Sequence, residues 1–220
     1  MKSPETIKLA STKDGVVVSI HKGLLCFFSS YYAAALNGNF LEAEKDRFEV
    51  GLSGAQLQAF AEWIYTGTFN VHDREDEFLF ISLYIFADLV DIIALRRSAI
   101  SHIADLSIVS WSMVELILKN VTQNSPLRRH VSDNYIAHWM PTTDANRPRL
   151  PDSQTDSVYL VAHSNFMFEL LKGVALRKVS ADDATKCPCC NDLCKYHEHE
   201  SDEEREASML MRMIQLVATY

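Results

Sequence analysis

Ile20-His21-Lys22-Gly23-Leu24-Leu25-Cys26 is the stretch on which the fold turns, because it joins a β-branched run to an apolar one. Upstream, Val16-Val17-Val18-Ser19-Ile20 and Ile7-Lys8-Leu9-Ala10 flank a segment that ends in Asp14-Gly15. Asp-Gly supplies the positive φ of a tight hairpin turn, so two antiparallel strands are expected. Downstream, Leu24 to Phe28 is too short and too apolar to assign by period alone. Ser29 then reads as an N-cap and Gly38 as a stop, framing a helix through Tyr31 to Leu36. Asp46-Arg47-Phe48-Glu49-Val50 alternates polar and apolar, as a half-buried strand does.

Three helices should follow. Ser53 and Gln56 have capping-box spacing, and Leu57, Phe60, Ala61 and Ile64 fall at i, i+3, i+4 and i+7 before a closing Gly67. A second helix is expected from about Asp76, with Leu79, Leu83, Phe86 and Val90 on one face. A third begins near Ile92, with Leu95, Ala99, Ile103 and Leu106 inward. The order is a hairpin, a helix pair, a strand and three helices. That predicts an α+β domain in which helices cover a small sheet.

These residues resemble the BTB/POZ family. Ile20 to Cys26 looks like its "hydrophobic-H-K-x-L-L" signature. It is followed by Ser30-Tyr31-Tyr32, by Ala35-Leu36-Asn37-Gly38-Asn39-Phe40-Leu41-Glu42 and by Trp63-Ile64-Tyr65-Thr66-Gly67. Leu83-Tyr84-Ile85-Phe86-Ala87-Asp88 stands where the family has its "L-Y-x-x-A-D/K" helix. The blocks cover about half of the chain in the family's order, and the short BTB proteins of filamentous fungi are the most similar group. The resemblance implies a BTB/POZ fold over 1–106 and a protein-binding role, by self-pairing or by docking a cullin scaffold so that a second region presents a substrate for ubiquitination. The cullin-docking subset carries a hydrophobic-x-Glu motif after the second helix pair, a place that Phe40-Leu41-Glu42 occupies. An apolar anchor beside a carboxylate would make a workable hot spot; plain packing of Phe40 with Glu42 in solvent is the alternative. Many dimeric members have an extra helix and strand before the hairpin, and this sequence starts almost at the hairpin, so a swapped amino-terminal dimer is not expected.

Beyond the first domain the pattern turns helical. Trp111, Val114, Ile117, Leu118 and Val121 mark a helix after Ser110. Leu127, Val131, Tyr135 and Trp139 mark another, which opens on Asn124-Ser125-Pro126 with proline in the first turn. Residues 107–140 therefore read as a helical extension. Residues 141–157 hold three prolines and little apolar content, which suits a linker. Over 158–220 the expectation is a mainly helical region. Val158 to Val179 is one helix with Val161, Phe168, Leu171 and Ala175 on part of a face. A final amphipathic helix carries Leu210, Met213, Ile214 and Val217, docking on Val158–Val179 or on a partner.

Between those helices lies the chemistry-bearing segment. Cys187-Pro188-Cys189-Cys190-Asn191-Asp192-Leu193-Cys194-Lys195-Tyr196-His197-Glu198-His199 packs four cysteines and two histidines into 13 positions. Cys187-x2-Cys190 and Cys194-x2-His197 are chelating spacings for one tetrahedral Zn2+, which prefers thiolate and imidazole donors. A tight knuckle built from Cys187, Cys190, Cys194 and His197 is one reading, and packing of the same side chains against the preceding helix is the other. Fungal BTB proteins of the kind that this chain resembles often end in a similar Cys-x2-His-x-His block. A disulfide is not expected in a reducing compartment. Cys26, between Leu25 and Phe27, should be a small buried hydrophobe.

Composition narrows the function classes. The formal charge of −8, from 21 basic and 29 acidic residues, works against nucleic-acid or anionic-membrane binding. Arg96-Arg97 and Arg128-Arg129 fit helix surfaces. The polar first residues lack a signal peptide's apolar core, and the apolar run before Asp88 is too short for a membrane helix. A cytoplasmic or nuclear protein is expected. There is no G-x-S-x-G elbow, phosphate-binding loop or H-E-x-x-H, so no enzyme is expected. His21 reads as structural, and Asp88 and Asp91 as the exposed edge of a helix. The leading reading is an interaction adaptor, possible substrate-recruiting subunit of a cullin-RING ligase with a cullin scaffold and a substrate as partners. The alternatives are a scaffold in transcription or signalling without a ligase role, and a zinc- or redox-responsive regulator acting through the Cys/His cluster.

Overall fold

The computed structural model describes residues 5–38, 45–69, 78–105, 109–138, 157–179, 189, 192–199 and 201–207. The chain is α+β, with a small mixed sheet and a predominance of helix. It divides into two compact units, Met1–Ala99 and Ile100–Tyr220.

In the first unit, β1 (Thr6–Ser11) and β2 (Val17–His21) form the expected antiparallel hairpin, with Ile7 opposite Ile20 and Leu9 opposite Val18. Gly15 takes φ 76°, as an Asp-Gly turn requires. β3 (Arg47–Val50) adds parallel to β1 on its other side, giving the order β2-β1-β3. Ile7, Leu9, Ile20 and Val50 point into the core under the helices, while Lys8, Ser19, Arg47 and Glu49 on the other face of the sheet are exposed.

The stretch from Ile20 to Cys26 proves to be a junction between strand and helix. β2 ends at His21 and α1 (Lys22–Phe28) begins at the next residue, which settles the run that periodicity left unassigned. His21 donates its backbone N–H to the Tyr65 hydroxyl at 3.1 Å, and its ring Nδ1 lies 2.7 Å from the same oxygen. Lys22 donates its ammonium to the carbonyl of Leu36 at 3.0 Å, at the end of α2 (Ser30–Asn37). Leu25 is fully buried. His21, Lys22 and Leu25 thus each fasten a different neighbour.

Ser29 caps α2 by accepting from the Tyr32 N–H at 3.0 Å, and its hydroxyl donates to the Val90 carbonyl. α3 (Gly54–Thr66) opens on a complete Ser53–Gln56 capping box and closes on Gly67 in the left-handed conformation. Leu57, Phe60, Trp63 and Ile64 make its buried face. α4 (Leu79–Leu89) and α5 (Ile93–Ala104) follow, and Leu83, Ile92 and Leu95 are fully buried. The α4 start expected near Asp76 and the inward Leu106 lie outside the described residues.

The second unit contains α6 (Trp111–Asn120), α7 (Pro126–His138) and α8 (Ser157–Val179). Trp111, Tyr135 and Phe166 form its aromatic centre, with ring centroids 5.9, 6.1 and 6.3 Å apart. Tyr135 donates its hydroxyl to the Val109 carbonyl at 2.8 Å, which satisfies the polar end of a buried ring. A Cβ on Gly173 would sit 2.2 Å from Ile136 Cδ1, so glycine is what lets α8 approach α7. The linker expected over 141–157 and the final helix from Leu210 onward lie outside the described residues, apart from Ser157 at the start of α8. No helix among the described residues is long and apolar enough to cross a membrane.

Side-chain environments depart from expectation in three places. The inward face of α8 carries His163, Phe166 and Leu170, whereas Val161, Phe168 and Leu171 are more than 60% exposed. α8 has apolar residues on both faces, so its period does not say which face meets α6 and α7. Arg96 and Arg128 are buried, not on helix surfaces. Arg96 reaches Asp91 at 3.3 Å and Asp88 at 3.8 Å, and Arg128 donates to the Ala162 carbonyl at 2.9 Å. Asp88 and Asp91 are therefore more than an exposed helix edge. Cys26 is half-buried, its thiol 3.8 Å from the Tyr32 carbonyl. Leu25 takes the inward position beside it.

Candidate functional site

The segment that concentrates metal-ligating residue types folds locally into a turn, and its spacing explains how. Leu193–Tyr196 is a single 3-10 turn, closed by the His197 N–H donating to the Cys194 carbonyl at 3.2 Å. In 3-10 geometry residues three apart eclipse, so Cys194 and His197 share one side. His197 itself is extended (φ −85°, ψ 142°). In extended chain, residues two apart share a side, which carries His199 round to the same place. The thiol of Cys194 and one ring nitrogen each of His197 and His199 lie within 4.8 Å of one another. Cys194 is buried, and the two imidazole rings meet edge to face at 5.4 Å.

The opposite side of the turn is anchored on α7. Tyr196 is fully buried with its ring edge-on to His130 at 4.9 Å. Its hydroxyl donates to Asp133 Oδ2 at 2.6 Å. The Lys195 ammonium lies 2.6 Å from the same oxygen. Burial, with the Asp133 hydrogen bond second, pushes the Tyr196 phenol far above its ordinary range, so it stays a donor. Asp192 takes a 3.1 Å contact from Arg205. The Cys/His group opens on a groove lined by Asp192, Ser201, Asp202 and Arg205, which is an entry path for a small ion.

Around the group, each imidazole has a nitrogen near an outer oxygen. His197 Nε2 is 3.2 Å from Ser101 Oγ, and His199 Nδ1 is 3.9 Å from Glu204 Oε2. Such outer contacts are what orient a metal-bound imidazole. Thiolate and imidazole donors suit zinc and not the hard oxygen-seeking cations. The arrangement can therefore hold a metal ion.

Sequence spacing named Cys187, Cys190, Cys194 and His197. The structure brings Cys194 and His197 together; Cys187 and Cys190 lie outside the described residues. His199 joins the group in place of a cysteine, and the signal for it was the H-x-H spacing after the turn. Cys189 is buried and disulfide-bonded, against the expectation of reduced thiols. Phe40, Leu41 and Glu42 also lie outside the described residues.

No family model matches the chain, and no curated protein matches it.

Proposed function

We propose that the chain is a BTB/POZ-type adaptor that binds other proteins and performs no catalysis. One observation carries this reading: the amino-terminal unit runs β1-β2-α1-α2-β3-α3-α4-α5 with the family-like blocks at its working joints. Ile20 to Cys26 forms the β2–α1 junction, Trp63 to Gly67 closes α3 and includes Tyr65, whose hydroxyl receives His21, and Leu83 to Asp88 lies inside α4. The resemblance rests on residue identity, and the element order supports it through the backbone course. Within this reading the chain recruits a substrate to a cullin-RING ligase, with Phe40-Leu41-Glu42 as the docking motif. A pull-down with the amino-terminal domain of a BTB-binding cullin tests it. The wild type should bind, and Glu42→Lys should weaken binding about tenfold or more by reversing a charge at the contact. Absence of wild-type binding sinks the ligase role and leaves the scaffold without ligase function, whose partners would include no cullin.

A second reading is favoured by the convergence of Cys194, His197 and His199: the group takes zinc, as a structural ion of the carboxy-terminal unit. Tag-free protein purified under mild reductant should carry close to one zinc per chain. A content below about 0.2 per chain would reject this reading, given how tightly structural sites hold the ion.

A further inference from the structure

We propose that Cys194, His197 and His199 are the zinc ligands that this chain's own turn supplies, and that the ion fastens residues 192–199 to α7. The inference rests on the zinc reading above and goes beyond it by giving the ion a mechanical role. The 3-10 turn and the extended residue after it project the three donors to one side, and their 4.8 Å envelope is close to the spacing of about 3.5 Å that tetrahedral zinc imposes. Small side-chain rotations close the difference. Among the described residues, Cys194, His197 and His199 are the side chains of metal-ligating type that meet in this way. Three donors leave one tetrahedral position for a further ligand.

The mechanical role follows from what lies on the two sides of these eight residues. Leu193 and Tyr196 are buried, and Tyr196 and Lys195 share one carboxylate oxygen of Asp133 on α7. A 3-10 turn this short has little stability of its own. Pinning Cys194 to His197 and His199 restricts the backbone on both flanks of Tyr196. An ion bound only by the ordered turn stabilises that order by mass action. Zinc therefore holds the Tyr196 hydroxyl on Asp133 although it touches neither residue.

The experiment uses the full chain, purified without a tag in the presence of a thiol reductant. Zinc per chain and zinc affinity are measured for wild type, His199→Ala, His199→Cys and Cys194→Ser. His199→Ala and Cys194→Ser should lower affinity by on the order of a hundredfold or more, while His199→Cys, which restores a donor, keeps the ion. Rescue by cysteine separates ligand loss from misfolding. If His199→Ala keeps the zinc with wild-type affinity, His199 is not a ligand and the fastening proposed here fails, although the chain still binds zinc. A wild type without zinc defeats both. Trypsin cleavage after Lys195, followed by mass spectrometry, reads the fastening. Chelation should accelerate it by about tenfold or more, since cleavage tracks the open population. Equal rates with and without zinc would overturn the mechanical role.

Discussion

Phe60→Ala is expected to remove most of the stability of the amino-terminal unit. Phe60 is fully buried on α3 and meets Phe86 of α4 edge to face at 5.0 Å. α3 also packs on the sheet, so this ring ties both layers together. Truncating a buried phenylalanine costs about 3–5 kcal/mol, from lost apolar burial and from the cavity left behind. A domain has only about 5–15 kcal/mol in total. The midpoint of urea unfolding, followed on the isolated effect of this variant in the full chain, should fall by on the order of 2 M with an unchanged slope. A loss under about 1 kcal/mol would mean that Phe60 is not the joint between the layers. Partner binding through this unit should fail in parallel with unfolding and not before it.

Acid should destabilise the carboxy-terminal unit through His130. This residue of α7 is buried, its ring against Tyr196. Burial pushes its pKa down to about 4, with Lys195 adding to the shift and Asp133 opposing it. The folded state therefore binds the proton more weakly than the unfolded chain, whose histidine titrates near 6.5. Stability is intact above pH ~6.5, falls as pH drops toward ~4 and levels off below. The full loss is about 3 kcal/mol. His130→Phe keeps an edge-to-face partner for Tyr196 and removes the titration. Its unfolding free energy should change less between pH 7 and pH 4.5, by about 2 kcal/mol relative to the wild type. The comparison belongs on chelated protein, because Cys194, His197 and His199 would release a metal over the same range. Identical pH profiles for the two proteins would show that His130 is not the acid-sensitive group.

Both expectations involve groups that tie elements distant in sequence, and legibility of the chain divides along that line. Ser53 and Gln56, three apart, announced the start of α3, and Gly67 its end. Gly15 marked the hairpin, and Pro126 the start of α7. These outcomes depend on φ, on capping and on hydrogen bonds within a few residues, so they are written locally. The face of α3 was legible for a related reason, since one side is clearly more apolar, whereas α4 is apolar nearly all round and also buries Ile81, Tyr84 and Ala87.

The Cys/His group was half legible. Cys194-x2-His197 was visible as a chelating pair, because i and i+3 meet in any helical turn. His199 was signalled only by the H-x-H spacing, and its place depends on the chain leaving the turn in an extended course. By itself, the sequence determined the hairpin, the ends of α3, the start of α7 and which segment bears metal-ligating residues, the first three being consequences of short-range sterics and hydrogen bonding. Only the tertiary structure decided that α8 turns His163, Phe166 and Leu170 inward, that Arg96 and Arg128 are buried and that Tyr196 seats on Asp133. Those choices are set by what lies across the fold, where burial and charge pairing between residues tens of positions apart outweigh the local pattern.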